Sequence, residues 1–136
     1  MATIRRRSTE GAVTIAGARV FIPQEPMKRD PGTQRMVSVM NFSQARAFGT
    51  PVVMCPSGPA ALNTAPTEWT LREHLKDFSD QDFLIAVGDP TLFGMASIIA
   101  AGSNRGRVRF LKWDKELHNY IEVDFHQFRK LNQEED

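Results

Sequence analysis

The chain has 136 residues, a single cysteine and a formal charge of +1, with 41% hydrophobic and 24% charged residues. These values fit one soluble domain whose core is large enough to need neither a disulfide nor a structural metal, and so small a net charge excludes a strong overall field for nucleic acid or membrane. Cys55 alone closes no intrachain disulfide, no segment is long and apolar enough to span a bilayer, and Ile4-Arg5-Arg6-Arg7 runs into Ser8-Thr9-Glu10-Gly11 instead of a signal-peptide core, so the chain reads as not secreted.

Residues 1–18 read as a flexible basic arm, residues 19–125 as one α/β domain, and residues 126–136 as a tail that ends acidic. The first strand is expected at residues 19–22, closed by Pro23. Residues 23–35 hold three prolines, a glycine and five charges, and read as a surface loop. Residues 36–40 alternate weakly and form a minor strand; Asn41 or Ser43 then caps a short helix that Gly49 ends. Residues 50–56 read as a short buried strand fenced by prolines. Thr70 with Glu73 matches a capping box and Thr67 offers an earlier start, for a helix that runs to about Phe78 and buries Leu71, Leu75 and Phe78.

The central unit is strand, helix, strand. Residues 83–87 are an unbroken apolar run, as in a strand covered on both faces. Gly88-Asp89-Pro90 then starts a helix, with Asp89 as cap and Pro90 in the first turn. Leu92, Met95, Ala96 and Ile99 form its stripe, and Phe93 and Ile98 widen it toward deep burial. Residues 107–113 return as a strand lying toward the outside of the sheet. Residues 120–125 alternate and pair antiparallel with it. This order predicts a three-layer Rossmann-like open sheet, mostly parallel, centred on residues 19–22, 52–55 and 83–87, with right-handed crossovers and a C-terminal antiparallel hairpin.

Phe21-Ile22-Pro23-Gln24-Glu25-Pro26 with Arg29-Asp30-Pro31, Asn63-Thr64-Ala65-Pro66-Thr67, Val87-Gly88-Asp89-Pro90 and the run from Gly106 through Val108, Phe110 and Trp113 to Asp114 resemble a group of small uncharacterised proteins encoded by tailed bacteriophages, especially marine ones. The resemblance implies a viral origin and a setting in the host cytoplasm or the virion. It names no substrate.

Ligands in open α/β sheets sit outside the carboxyl ends of the parallel strands. That rule gathers Gln24, Glu25, Lys28, Arg29, Ser57, Asn63 and Asp89 into a candidate small-molecule cleft, with Lys28, Arg29 and Ser57 as holders of an anion or nucleotide. Neither a dinucleotide fingerprint nor a P-loop is present, and the Asp89 carboxylate competes with a phosphate for the N–H groups of the helix start. Asp89 reads first as a plain helix cap. Ser57 lacks the flanks of a nucleophile elbow, Cys55 ends an apolar strand as a buried thiol would, and His74, His118 and His126 make no metal-ligand spacing, so no catalytic residue, metal or cofactor is assigned.

Arg105, Arg107, Arg109 and Lys112, leading to Trp113, form the alternative: a strip that receives a nucleic acid backbone and a stacked base. The competing reading is a charged rim strand with Trp113 packed under the last strand. The small residues Gly94, Ala96, Ser97, Ala100 and Ala101 leave room for a homo-oligomer through the apolar helix. The expectation is therefore a binding protein rather than an enzyme, with protein or nucleic acid as partner and no membrane role.

Overall fold

The computed structural model describes residues 17–57 and 64–130. The arginines of the basic arm, Asn63 and the acidic end of the tail lie outside the described residues.

Among the described residues, seven strands and two α-helices follow one another as β1 (Arg19–Gln24), β2 (Met27–Arg29), β3 (Met36–Ser38), a 3-10 turn (Ser43–Ala47), β4 (Thr50–Cys55), α1 (Thr64–Leu75), β5 (Phe83–Ile85), α2 (Pro90–Ser103), β6 (Arg107–Asp114) and β7 (Asn119–His126). The main sheet has five strands in the order β4-β1-β5-β6-β7. β4, β1, β5 and β6 are parallel, and β7 runs antiparallel to β6 in the expected hairpin.

Strand alternation decides which side chains meet which layer. On one face Phe21, Leu84 and Val108 pack with Leu71, Leu75 and Phe78 from α1 and its exit, and with Leu92, Ala96, Ile99 and Ala100 of α2. On the other, Val20, Ile22, Phe83, Ile85, Leu111 and Tyr120 pack with Ala45 and Phe48 from the 3-10 turn and the residue after it. Both α-helices thus share one face, and among the described residues that turn and its flanks cover the second. Each fully buried Leu, Ile or Phe stabilises the fold by roughly 1.5–3 kcal/mol before ordering entropy is subtracted. The path from β1 to β4 crosses the turn's face in one direction, whereas the paths through α1 and α2 cross the helix face in the opposite direction. All three crossovers therefore have the same hand, as parallel strands require.

Several expectations change. Residues 23–35 are not an irregular loop: β2 and β3 form an antiparallel ribbon, closed by a turn in which Asp30 accepts hydrogen bonds from the Thr33 backbone and hydroxyl. Prolines and charges marked the turn and hid the short strand before it. The helix expected after Asn41 is a single 3-10 turn with no side-chain bond from its cap residue, although Asn41 Oδ1 does accept from the Ser43 N–H. β4 is an edge strand rather than part of the centre, with Val53 46% exposed. Pro51 has no N–H to give a further neighbour, which suits an edge, and an apolar run alone does not separate edge from interior. The strand expected at residues 83–87 spans only Phe83–Ile85: after the Ala86 N–H donates to the Leu111 carbonyl, the Val87 N–H turns back to the Ile85 carbonyl at 3.0 Å and takes the chain out of the ladder ahead of Gly88.

α1 begins at Thr64, ahead of both expected caps, with Pro66 in its first turn, where the missing N–H costs nothing. In α2 Leu92, Ala96 and Ile99 are buried as expected, Phe93 and Met95 are half-buried against the core, and Ile98 is 74% exposed because the sheet takes only one side of the helix. β6 is an interior strand, so its charges do not guard a rim. No helix among the described residues is long and apolar enough to cross a membrane.

Candidate functional site

β1 and β5 are neighbours whose onward connections leave in opposite directions, so a crevice opens at their carboxyl ends. Gln24, the last residue of β1, is buried there at 6% exposure. Its Nε2 donates to the Pro56 carbonyl at 3.0 Å and its Oε1 accepts from the Asp89 N–H at 3.2 Å. One amide therefore clasps the exits of β1, β4 and β5. A Cβ at Gly88 would stand 3.1 Å from the Gln24 Cβ and 3.2 Å from its carbonyl oxygen, and the positive φ adds strain for any other residue. Asp89 Oδ1 accepts from the N–H and hydroxyl of Thr91 at 3.1 and 3.0 Å and so caps α2.

Around this clasp lies an open cleft of about 570 Å³. Its polar side is Gln24, Glu25, Ser57 and Asp89 with the Gly88 backbone; its apolar wall is Pro26, Met27, Met36, Val39 and Met40, from the ribbon and its hinges. The structure thus brings together Gln24, Glu25, Ser57 and Asp89 of the expected cleft. Lys28 and Arg29 do not line it: both are exposed on β2, and Arg29 Nη1 donates to the Gln34 carbonyl at 2.8 Å. Asn63 lies outside the described residues. Sequence reasoning finds a strand at residues 36–40 but not its partner β2, so it does not gather Met27, Met36 and Met40 into one wall.

The arginine strip is differently disposed. Arg107 holds Asp124 through Nε and Nη2 at 3.0 and 2.9 Å and reaches Asp80 at 3.2 Å. Arg109 holds Glu122 at 2.8 Å, donates to the Asp80 carbonyl, and lies 4.2 Å over the Phe83 ring. The hydrogen bonds from Arg107 lower the Asp124 pKa, and its own rises with the same pair. Trp113 is half-buried, edge-on to Tyr120 with centroids 5.1 Å apart. Arg105, in the turn after α2, and Lys112 are the strip's exposed cations. Alternation puts Lys112 on the sheet face opposite Arg107 and Arg109, so they form no continuous track.

Cys55 is buried, and burial pushes its thiol pKa up. Among the described residues no three of His, Cys, Asp and Glu are grouped to hold a metal. The sequence also gave no sign of a second charged hub, Asp82. This carboxylate is 1% exposed and accepts from the Arg19 N–H, the Arg19 guanidinium and the Ser79 N–H, tying the start of β1 to the start of β5.

The Phage Pam3 gp32-like protein family matches the chain over residues 18–127. The chain belongs to that family. The match takes in the whole sheet, the cleft and both helices of this gp32-like protein, and it agrees with the likeness to small phage proteins carried by its sequence words. No curated protein matches the chain, and no solved structure does.

Proposed function

We propose that this phage-family protein is an accessory factor that works by binding and not by turnover, and that the cleft walled by the β2–β3 ribbon receives a segment of a partner protein. The observation that carries this reading is the composition of the cleft. Its apolar wall includes three methionines, flexible and polarisable side chains that conform to varied apolar partners. The charged residues that line it are Glu25 and Asp89, both acidic. An apolar side chain beside a Lys or Arg complements that surface, whereas an anion or nucleotide meets two carboxylates. The nucleic acid alternative keeps only Arg105 and Lys112 as exposed cations on the strip, since Arg107 and Arg109 are engaged with carboxylates.

We read the sheet as Rossmann-like in the sense that its crevice lies at a reversal of strand order, with the Ser43–Ala47 turn as a thin third layer. The setting we propose is the infected host cell or the virion. A peptide array probed with the labelled full chain tests the function. Binding to short Leu/Met/Phe segments that carry Lys or Arg, weakened at least about tenfold by Met36→Asp or Glu25→Lys, supports it. Equal binding to acidic control peptides, or none to any peptide, sinks it.

A further inference from the structure

We propose that β7 is a self-association edge: two copies join antiparallel through their β7 strands, related by a two-fold axis at Val123, so that the two five-stranded sheets become one continuous sheet. The inference is independent of the cleft.

It begins with the hydrogen-bond parity of the β6–β7 ladder. The Gln127 N–H donates to the Gly106 carbonyl at 2.7 Å, which makes that opposed pair a hydrogen-bonded one. In an antiparallel ladder such pairs alternate. With the observed register, Asn119, Ile121, Val123 and Phe125 turn their backbone groups toward β6, and Tyr120, Glu122, Asp124 and His126 turn theirs outward. β6 agrees, since the Leu111 carbonyl, opposite Glu122, faces away from β7 and accepts from the Ala86 N–H. No described strand lies beyond β7.

Among the described residues, two of the outward groups are already used. The Tyr120 N–H donates to Asn119 Oδ1 at 2.7 Å, and the His126 carbonyl accepts from the Arg129 N–H at 3.1 Å. Now let a second β7 approach with Val123 opposite Val123. Glu122 and Asp124 then exchange both backbone bonds with Asp124 and Glu122 of the other copy, and the His126 N–H meets the Tyr120 carbonyl. The occupied Tyr120 N–H faces the occupied His126 carbonyl. Every open donor meets an open acceptor, and every satisfied group meets a satisfied one. Moving the axis to Glu122 or Asp124 breaks this match and sets identical carboxylates opposite each other.

The side chains follow the same axis. On the helix side, Val123 and Phe125 are 42% and 58% exposed, and α2 packs over β1 and β6 instead of β7. Pairing sets Val123 against itself and Ile121 against Phe125, apolar cross-strand neighbours on an otherwise wet face. On the other side Glu122 faces Asp124 of the second copy, but each brings its own arginine, Arg109 or Arg107, at 2.8 and 2.9 Å. β7 carries neither Lys nor Pro, and its two charges, Glu122 and Asp124, are paired within the copy by Arg109 and Arg107, whereas the opposite edge β4 contains Pro51.

Sedimentation of the full chain over a wide concentration range, with cysteine cross-linking, tests this. A dimer is expected, with its dissociation constant raised at least about tenfold by Val123→Lys, which places two like charges on the axis. Opposed residues in a non-hydrogen-bonded pair are close enough for a disulfide, so Val123→Cys is expected to give a covalent dimer under mild oxidation and Ile121→Cys far less. Cys55 is buried and serves as the silent background. A monomer at all concentrations overturns the proposal. So does a dimer in which Ile121→Cys cross-links as fast as Val123→Cys, or a monomer whose Glu122 and Asp124 amides resist hydrogen exchange.

Discussion

The β6–β7 face and the cleft at the strand exits both carry charge, and they handle it in opposite ways. On β6, Arg107 and Arg109 are closed against Asp124 and Glu122 within the fold. In the cleft, Glu25 has no hydrogen bond or ion pair with any described residue, and Asp89 caps its helix with one oxygen. A run of cations is therefore a poor guide to a binding surface when the neighbouring strand supplies matching acids. The difference assigns the first region to holding the sheet together and leaves the Glu25 carboxylate of the second uncommitted among the described residues.

The sharpest way to break this contrast is to remove Arg109. Its side chain and that of Glu122 are only 11% and 9% exposed, so Arg109→Ala strands a buried carboxylate and is expected to cost about 3–5 kcal/mol in urea unfolding. A loss under about 1 kcal/mol would mean that the pair is not structural. Arg107→Ala should cost less, about 2 kcal/mol, because Arg107 is 30% exposed and partly solvated. It should also change the acid response. Hydrogen bonding to Arg107 depresses the Asp124 pKa below its ordinary 3.8. Asp124 thus contributes stability that is fully present above about pH 4 and lost as pH falls through its lowered folded value. Unfolding followed from pH 5 downward should show this acid loss in full in the wild type, in part in Arg107→Lys and least in Arg107→Ala; an Arg107→Ala profile parallel to wild type would refute the assignment. At the other extreme, Glu25→Gln should alter stability by no more than about 0.5 kcal/mol, since Glu25 supports nothing in the fold. A larger loss would turn the cleft carboxylate into another structural charge.

The two regions also differ in how much of them could be read along the chain. The Asp89 cap, the burial of Leu92, Ala96 and Ile99 in α2 and that of Leu71, Leu75 and Phe78 follow from local chemistry, and the structure agrees with them. Four cleft residues were legible for a similar reason: the rule about strand exits needs only the order of elements. The methionine wall was not, because it depends on a ribbon whose strands are three residues each. The arginine strip misled for a third reason. Arg107 and Arg109 alternate as a free basic face would, and their acids, Asp124 and Glu122, sit on the next strand in a register that spacing alone does not reveal.

By itself, the sequence determined where α2 is capped and which faces are apolar, since these rest on contacts within a few residues, but not where strands end: β1, expected to close at Pro23, runs on to Gln24. Only the tertiary structure decided that β4 is an edge, that β6 is interior, that Gln24 clasps three strand exits and that the arginines are occupied. Those facts depend on which distant segments lie side by side, and the same local pattern is compatible with more than one neighbour.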